Sequence, residues 1–187
     1  MKAGVLALQG DFREHAALLT DLGATAVLVK TPEDLAGVDC LAIPGGESTT
    51  IGRLARARGL VEPIRERAEQ GMPLLGTCAG MIVMAREVTG GQPLLSLLDI
   101  RVARNAYGRQ VDSFEADVQP SVIDGEPLHG VFIRAPEIER VGDRVEVLAE
   151  LDGRPVAVEQ RTLVAATFHP ELAGEQRLHR RFLEKVG

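Results

Sequence analysis

The sequence has no tryptophan, one tyrosine and five phenylalanines among 187 residues. Single-stranded nucleic acid is held by stacking on aromatic faces, so a platform of that kind is poorly supplied. A positive patch is also missing. The 21 Lys and Arg are outnumbered by 27 Asp and Glu and mixed with them, leaving a formal charge of −6. Neutralising a phosphate backbone needs clustered cations, so the balance argues against nucleic acid as a partner. No run of 18 uncharged apolar residues occurs, and no membrane span is expected. The opening Met1-Lys2-Ala3-Gly4-Val5-Leu6-Ala7-Leu8 stops at Gln9-Gly10-Asp11 without a small-residue cleavage site, and reads as a strand rather than a leader. Two cysteines, Cys40 and Cys78, make no disulfide framework, which favours free thiols in a reducing cytoplasm. Cys and His show no metal-ligand spacing, and no full Gly-x-Gly-x-x-Gly follows the first strand. A zinc hydrolase and a dinucleotide oxidoreductase are both disfavoured.

What is present is ordinary globular material, 45% hydrophobic and 26% charged. A chain of this length buries roughly 70% of its unfolded surface, enough for one core, so a single domain over 1–187 is expected. Apolar runs at 3–8, 24–29, 38–43 and 72–75 predict strands, and helical spacing predicts helices at 12–22, 48–58 and 61–70. Asp11 followed by Glu14 fits a capping box before the first helix, with Gly23 as its stop. The fourth run leads into Gly76-Thr77-Cys78-Ala79-Gly80, and an apolar helix is then predicted to about Arg86. The second half is β-like at 98–104, 113–118, 130–134, 144–151, 155–159 and 162–168, with a last helix near 174–186. Strand–helix alternation followed by hairpins predicts an α/β fold: a mostly parallel open sheet flanked by helices and extended by antiparallel strands. Ligands bind outside the carboxyl ends of such strands, where Gln9-Gly10, Gly45-Gly46-Glu47 and the Cys78 turn fall.

Gly76-Thr77-Cys78-Ala79-Gly80 is the sharpest local signal. It is the cysteine form of the nucleophile elbow, a tight strand-to-helix turn that needs small neighbours. The helix start beside the sulfur favours thiolate over thiol. Cys40, inside an apolar strand, reads as a small buried hydrophobe. A thiol nucleophile needs a base, and the base needs an orienting group. His169 ends the run Leu163–Phe168 and is followed by Pro170-Glu171, whose carboxylate can turn back toward the ring. The other histidines fit less well. His15 reads as a surface or boundary residue, and neither His129 nor His179 has an acidic partner nearby in a constrained loop. Pro44-Gly45-Gly46-Glu47-Ser48 can aim backbone N–H groups at a developing oxyanion, or simply cap the next helix; both can hold at once.

Assembled, these pieces resemble the class I, or triad, glutamine amidotransferases, whose fold is flavodoxin-like. The elbow and His-x-Glu carry the superfamily. Closer resemblance, to the glutaminase-subunit family of pyridoxal 5′-phosphate synthases, runs through Leu6–Gly10, Arg13–His15, Pro44–Thr50, Gly76–Gly80, Arg104–Gln110 with Ser113–Glu115, Val131–Pro136 and Phe168–Glu171.

The resemblance implies hydrolysis of L-glutamine to L-glutamate and ammonia. Cys78 would be the nucleophile, His169 the base and acid, and Glu171 the orienting carboxylate. Backbone N–H groups at Gly46 and Ala79 would hold the oxyanion. Gly46, Glu47, Ser48, Arg104, Ile133 and Arg134 would line the glutamine site, and Gln9 and Gly10 would lie near the junction with a barrel-shaped synthase subunit that receives the ammonia. No cofactor is implied for this chain, pyridoxal phosphate being the product of the complex. Three alternatives stay open at this stage: an amidotransferase serving an imidazole or purine acceptor, a small cysteine hydrolase or redox-sensing protein on the same fold, and a binding subunit with a vestigial site.

Overall fold

The computed structural model describes residues 1–104, 113–123 and 125–187. The first half winds up a parallel sheet. β1 (Lys2–Leu6), β2 (Thr25–Val29), β3 (Cys40–Ile43) and β4 (Leu74–Thr77) are short, and β3 and β4 are buried at every residue. Strands covered on both faces have no alternation to show, which is why they read as continuous apolar runs. The connecting helices are α1 (Phe12–Asp21), α2 (Pro32–Ala36), α3 (Ser48–Ala57), α4 (Val61–Glu69) and α5 (Ala79–Met84).

The second half adds β5 (Ala85–Thr89), β6 (Leu98–Ala103), β7 (Ser113–Pro120), β8 (Leu128–Ile133), β9 (Glu137–Val141), β10 (Glu146–Leu151), β11 (Arg154–Gln160) and β12 (Leu163–Ala166). A 3₁₀ turn at Pro170–Leu172 and helix α6 (Arg177–Leu183) finish the chain. The main sheet has nine strands in the order β2-β1-β3-β4-β12-β11-β10-β7-β8. From β2 to β12 neighbours run parallel, and from β12 to β8 they alternate in direction. A second sheet, β5-β6-β9, holds the remaining strands. One apolar core packs Ile51, Ile64, Met81 and Leu74 on the α3–α4–α5 side, and the other packs Leu19, Leu178, Phe182 and Val164 on the α1–α6 side. Among the described residues no helix is long and apolar enough to cross a membrane.

The fold class predicted from the sequence is the one observed, with local differences. The apolar helix after Cys78 ends at Met84 rather than near Arg86, because the next residues leave as β5, where Val88 is buried and Glu87 pairs with Arg101 across the ladder. Helix α2 was not predicted, although Thr31 caps it and Asp34 closes a capping box around Pro32. Strand β9 was not predicted either, although Ile138 between two glutamates is a short alternating pattern. The predicted capping box at Asp11 is absent: Asp11 sits at the N-cap position of α1 but makes no side-chain cap. Its carboxylate is engaged elsewhere.

Candidate active site

Strands β4 and β12 lie side by side and parallel, Thr77 opposite Ala166. Cys78 and His169, far apart in the chain, therefore leave the same sheet edge. The Cys78 amide donates to the Ala166 carbonyl at 2.8 Å, and the His169 amide donates to the Val131 carbonyl at 2.8 Å. Cys78 adopts φ 48° and ψ −106°, a conformation that L-residues rarely hold. The turn from β4 into α5 is thus strained at the sulfur-bearing residue. The Cys78 thiol faces the Ile133 carbonyl at 3.7 Å and shares a cavity wall with the His169 ring.

His169 is buried, and its Nδ1 lies 2.8 Å from Oε1 of Glu171 and 3.2 Å from Oδ2 of Asp11. Burial alone would push this imidazolium toward neutrality. Hydrogen bonds to Asp11, Cys78 and Glu171 outweigh it, and the net shift is well above the usual imidazole range. Burial would likewise raise the Glu171 carboxyl, but hydrogen bonds from His15 and His169, with the charge of the His169 imidazolium, hold it well below the usual carboxylate range. Cys40, by contrast, is a free buried thiol pushed up to about 12, chiefly by burial, and is inert.

These groups open onto a cavity of about 610 Å³ lined by Cys78, Ala79, His169, Gly46, Glu47, Ser48, Arg104, Ile133 and Arg134, with Gln9 at its edge. Glu171 is not in the wall; it stands behind His169. Gly10 does not line the cavity but packs on the loop that does. Its φ is +98°, and a Cβ there would lie 1.7 Å from the Gly45 carbonyl, so only glycine fits. The Gln9 side chain accepts a 2.7 Å hydrogen bond from the Glu47 amide. Glu47 caps α3, accepting from the amides of Thr49 at 2.9 Å and Thr50 at 2.6 Å and from the Thr50 hydroxyl at 2.7 Å. Slight burial opposes this, but the hydrogen bonds win and bring its carboxyl down to about 2. Arg104 donates to the Thr49 hydroxyl at 3.1 Å, which holds its guanidinium beside α3. The rest of the motif after it, from Asn105 to Gln110, lies outside the described residues.

Sequence reasoning missed several residues here. Asp11, Ile82 and Ser113 also line the cavity. His15 and His179 are fully buried, not at the surface, and meet behind Glu171. His129 is exposed on β8 and does have acidic partners, Asp117 and Glu115, each at 3.0 Å across the β7–β8 ladder. A signal for His15 existed: it precedes Leu18 and Leu19 by three and four positions, on the buried face of α1.

An open α/β sheet with a thiol at a strained elbow and an imidazole beside it is the layout of class I glutamine amidotransferases. Residues 5–187 match the SNO glutamine amidotransferase family, and the chain belongs to that family. It is 55% identical to a protein of Frankia casuarinae named pyridoxal 5′-phosphate synthase subunit PdxT, over 99% of this chain and 94% of that one. The protein of the same name from Herpetosiphon aurantiacus is 55% identical over 98% of this chain and 99% of its own length. A crystal structure described as a glutamine amidotransferase superposes with a TM-score of 0.93 at 52% identity, covering 99% of this chain and 98% of that one.

Proposed function

We infer that this chain is the glutaminase subunit of a pyridoxal 5′-phosphate synthase. It hydrolyses L-glutamine to L-glutamate and ammonia, and delivers the ammonia to a barrel-shaped synthase subunit. The observation that carries the reading is the shared mouth at which the Cys78 thiol and the His169 ring meet, with the Glu171 carboxylate 2.8 Å behind the ring.

The thiolate of Cys78 attacks the side-chain amide carbon of glutamine, and the carbonyl oxygen takes up the charge. Backbone N–H groups at Gly46 and Ala79 stabilise that oxygen. His169 gives its proton to the departing nitrogen, which leaves as ammonia, and a γ-glutamyl thioester remains on Cys78. Water then adds to the thioester, His169 taking its proton, and the C–S bond breaks to release glutamate and the thiolate. Glu171 keeps the ring oriented through Nδ1. Arg104, in the cavity wall, meets the substrate α-carboxylate in this reading, as a guanidinium fork suits. Glu47, Ser48, Ile133 and Arg134 complete the walls. Glu47 already spends its carboxylate on the α3 cap, so its contribution to substrate is through its backbone and through holding the loop. Gln9, at the cavity edge, and Gly10, packed on the loop behind it, face the synthase. The chain works as one domain in the cytoplasm, and needs no cofactor of its own.

The test is ammonia release from glutamine, with and without the synthase subunit. Glutamine-dependent release that requires Cys78 supports the reading. A folded Cys78→Ala protein that still releases ammonia with the synthase present defeats it.

A further inference from the structure

The hydrogen bonds of Glu171 converge on one oxygen. Oε1 lies 2.8 Å from Nδ1 of His169, 3.3 Å from Nε2 of His15 and 3.4 Å from Oγ1 of Thr77. Oε2 is buried and makes none within the described residues. Behind Oε1, Nε2 of His15 is 3.0 Å from Oγ1 of Thr77, and Nδ1 of His15 is 2.8 Å from Nε2 of His179. His15, Thr77 and His179 are each 0% exposed. They come from three different elements, α1, the end of β4 and α6. Two histidines at the back of a carboxylate are not needed for packing, since an apolar pair of similar volume would fill the same space without two polar rings to satisfy.

We propose that His179 and His15 form a buried donor chain that positions Glu171, and through it His169. The proposal rests on the reading of Glu171 as the orienting carboxylate. The direction of the chain follows from its far end. Burial pushes the His179 imidazole down to about 3, so the ring is neutral and carries one proton. Its Nδ1 is buried with no partner among the described residues. If the proton were on Nδ1, a buried N–H would be orphaned, the rarer and costlier defect. The proton therefore sits on Nε2 and is donated to Nδ1 of His15. That leaves the His15 proton on Nε2, aimed at Oε1 of Glu171 and shared with the Thr77 hydroxyl, which in turn donates to Oε1. The carboxylate is thereby held from behind by His15 and Thr77 while its front edge receives His169. Thr77 is the residue before the nucleophile, so one hydrogen-bonded cluster ties the elbow strand to the carboxylate and to α1.

His15 is a positioning residue in this account, and its loss has a signature that packing alone lacks. In the complete complex with the synthase subunit, His15→Leu is expected to lower kcat for glutamine about tenfold to a hundredfold, the rate equivalent of one hydrogen bond to a charged group. KM stays unchanged, because His15 does not line the cavity. The acidic limb of the pH profile moves to higher pH, because Glu171 has lost a donor that held its carboxyl low. His15→Gln, whose amide N–H reaches the same oxygen, recovers most of the rate. A folded His15→Leu with wild-type kcat and an unmoved limb overturns the proposal. So does a loss that Gln does not recover and that leaves the limb in place, since that is a packing effect. Imidazole nitrogen NMR on the unsubstituted protein checks the chain without any variant: Nε2 of His179 is expected to be protonated and Nδ1 bare, and the opposite tautomer overturns it. This last measurement needs no turnover. Absence of glutamine hydrolysis by the wild-type complex would defeat the glutaminase reading while leaving the chain standing.

Discussion

Gly45 lies flat against the His169 ring: a Cβ built on it would sit 2.2 Å from Cε1 and 2.8 Å from Nδ1. The imidazole occupies the space that any other residue at position 45 would fill. Gly45→Ala is expected to fold and to push the ring off its line to Cys78. A displacement of about 1 Å costs roughly a hundredfold in rate. Glutaminase kcat with the synthase present, alongside the far-ultraviolet circular dichroism of the variant, checks this; wild-type turnover in a folded Gly45→Ala would show that the ring has room to spare.

Cys78 is held at φ 48° and ψ −106°. A residue in such a region costs about 1–3 kcal/mol, and glycine escapes much of that. Both Cys78→Ala and Cys78→Gly should abolish glutamate release. Only the glycine variant should gain stability over the wild type, by about 1 kcal/mol after its own entropy loss. Urea titration of the three proteins separates the two effects.

Asp11 shares Nδ1 of His169 with Glu171 at 3.2 Å and is one of the groups that raise the pKa of this ring. Asp11→Asn keeps the shape and removes the charge. The folded His169 pKa then falls, so the imidazolium is lost at lower pH. The alkaline limb of the glutaminase profile is expected to move toward neutrality. The sign for stability agrees. A group whose folded pKa is raised contributes below its unfolded pKa, and that contribution fades as pH climbs through the folded value. Asp11→Asn should therefore lose stability at neutral pH and none above the wild-type His169 transition. An unmoved alkaline limb would remove Asp11 from the account.

Glu47 caps α3 through two amides and a hydroxyl. Glu47→Ala is expected to destabilise by about 0.5–2 kcal/mol, the ordinary range for a lost cap. Its carboxyl stands at about 2 against an ordinary 4.5, so the stabilisation is complete above the ordinary value and vanishes as pH falls toward about 2. Denaturation of wild type and variant at pH 7 and near pH 2 should give a gap that closes in acid. Because Ser48 begins the capped helix and lines the cavity, KM for glutamine is expected to rise in parallel.

Much of this architecture could be read before any coordinates. Four short apolar runs, at 3–8, 24–29, 38–43 and 72–75, marked strands of the parallel half of the sheet, the buried ones needing no alternation, and small residues around Cys78 marked the elbow because nothing larger fits a turn so tight. What escaped was set by distant partners. Asp11 looks like a helix cap to a local rule, but its carboxylate finds a stronger donor in the His169 ring, contributed from the far end of the chain. His15 and His179 look like surface histidines until the two helices that bear them are laid on the same face of the sheet. Strand β5 was hidden by the apolar helix before it, and was fixed by pairing with β6 rather than by its own preference.

The adjacency of β4 and β12 has an architectural corollary. The two reactive side chains sit at neighbouring strand ends, yet the whole of the second sheet and the antiparallel extension are spliced in between them along the chain. Length or sequence can change in much of that intervening stretch, which supplies Arg104, Ser113, Ile133 and Arg134 to the cavity wall, without moving sulfur relative to imidazole, so long as the Val131 carbonyl that holds the His169 amide stays in place. Bond-breaking machinery and recognition machinery are thus separately adjustable, and grafting the 85–162 segment of a differently selective relative onto this frame should retune what is admitted while leaving the hydrolytic step in place.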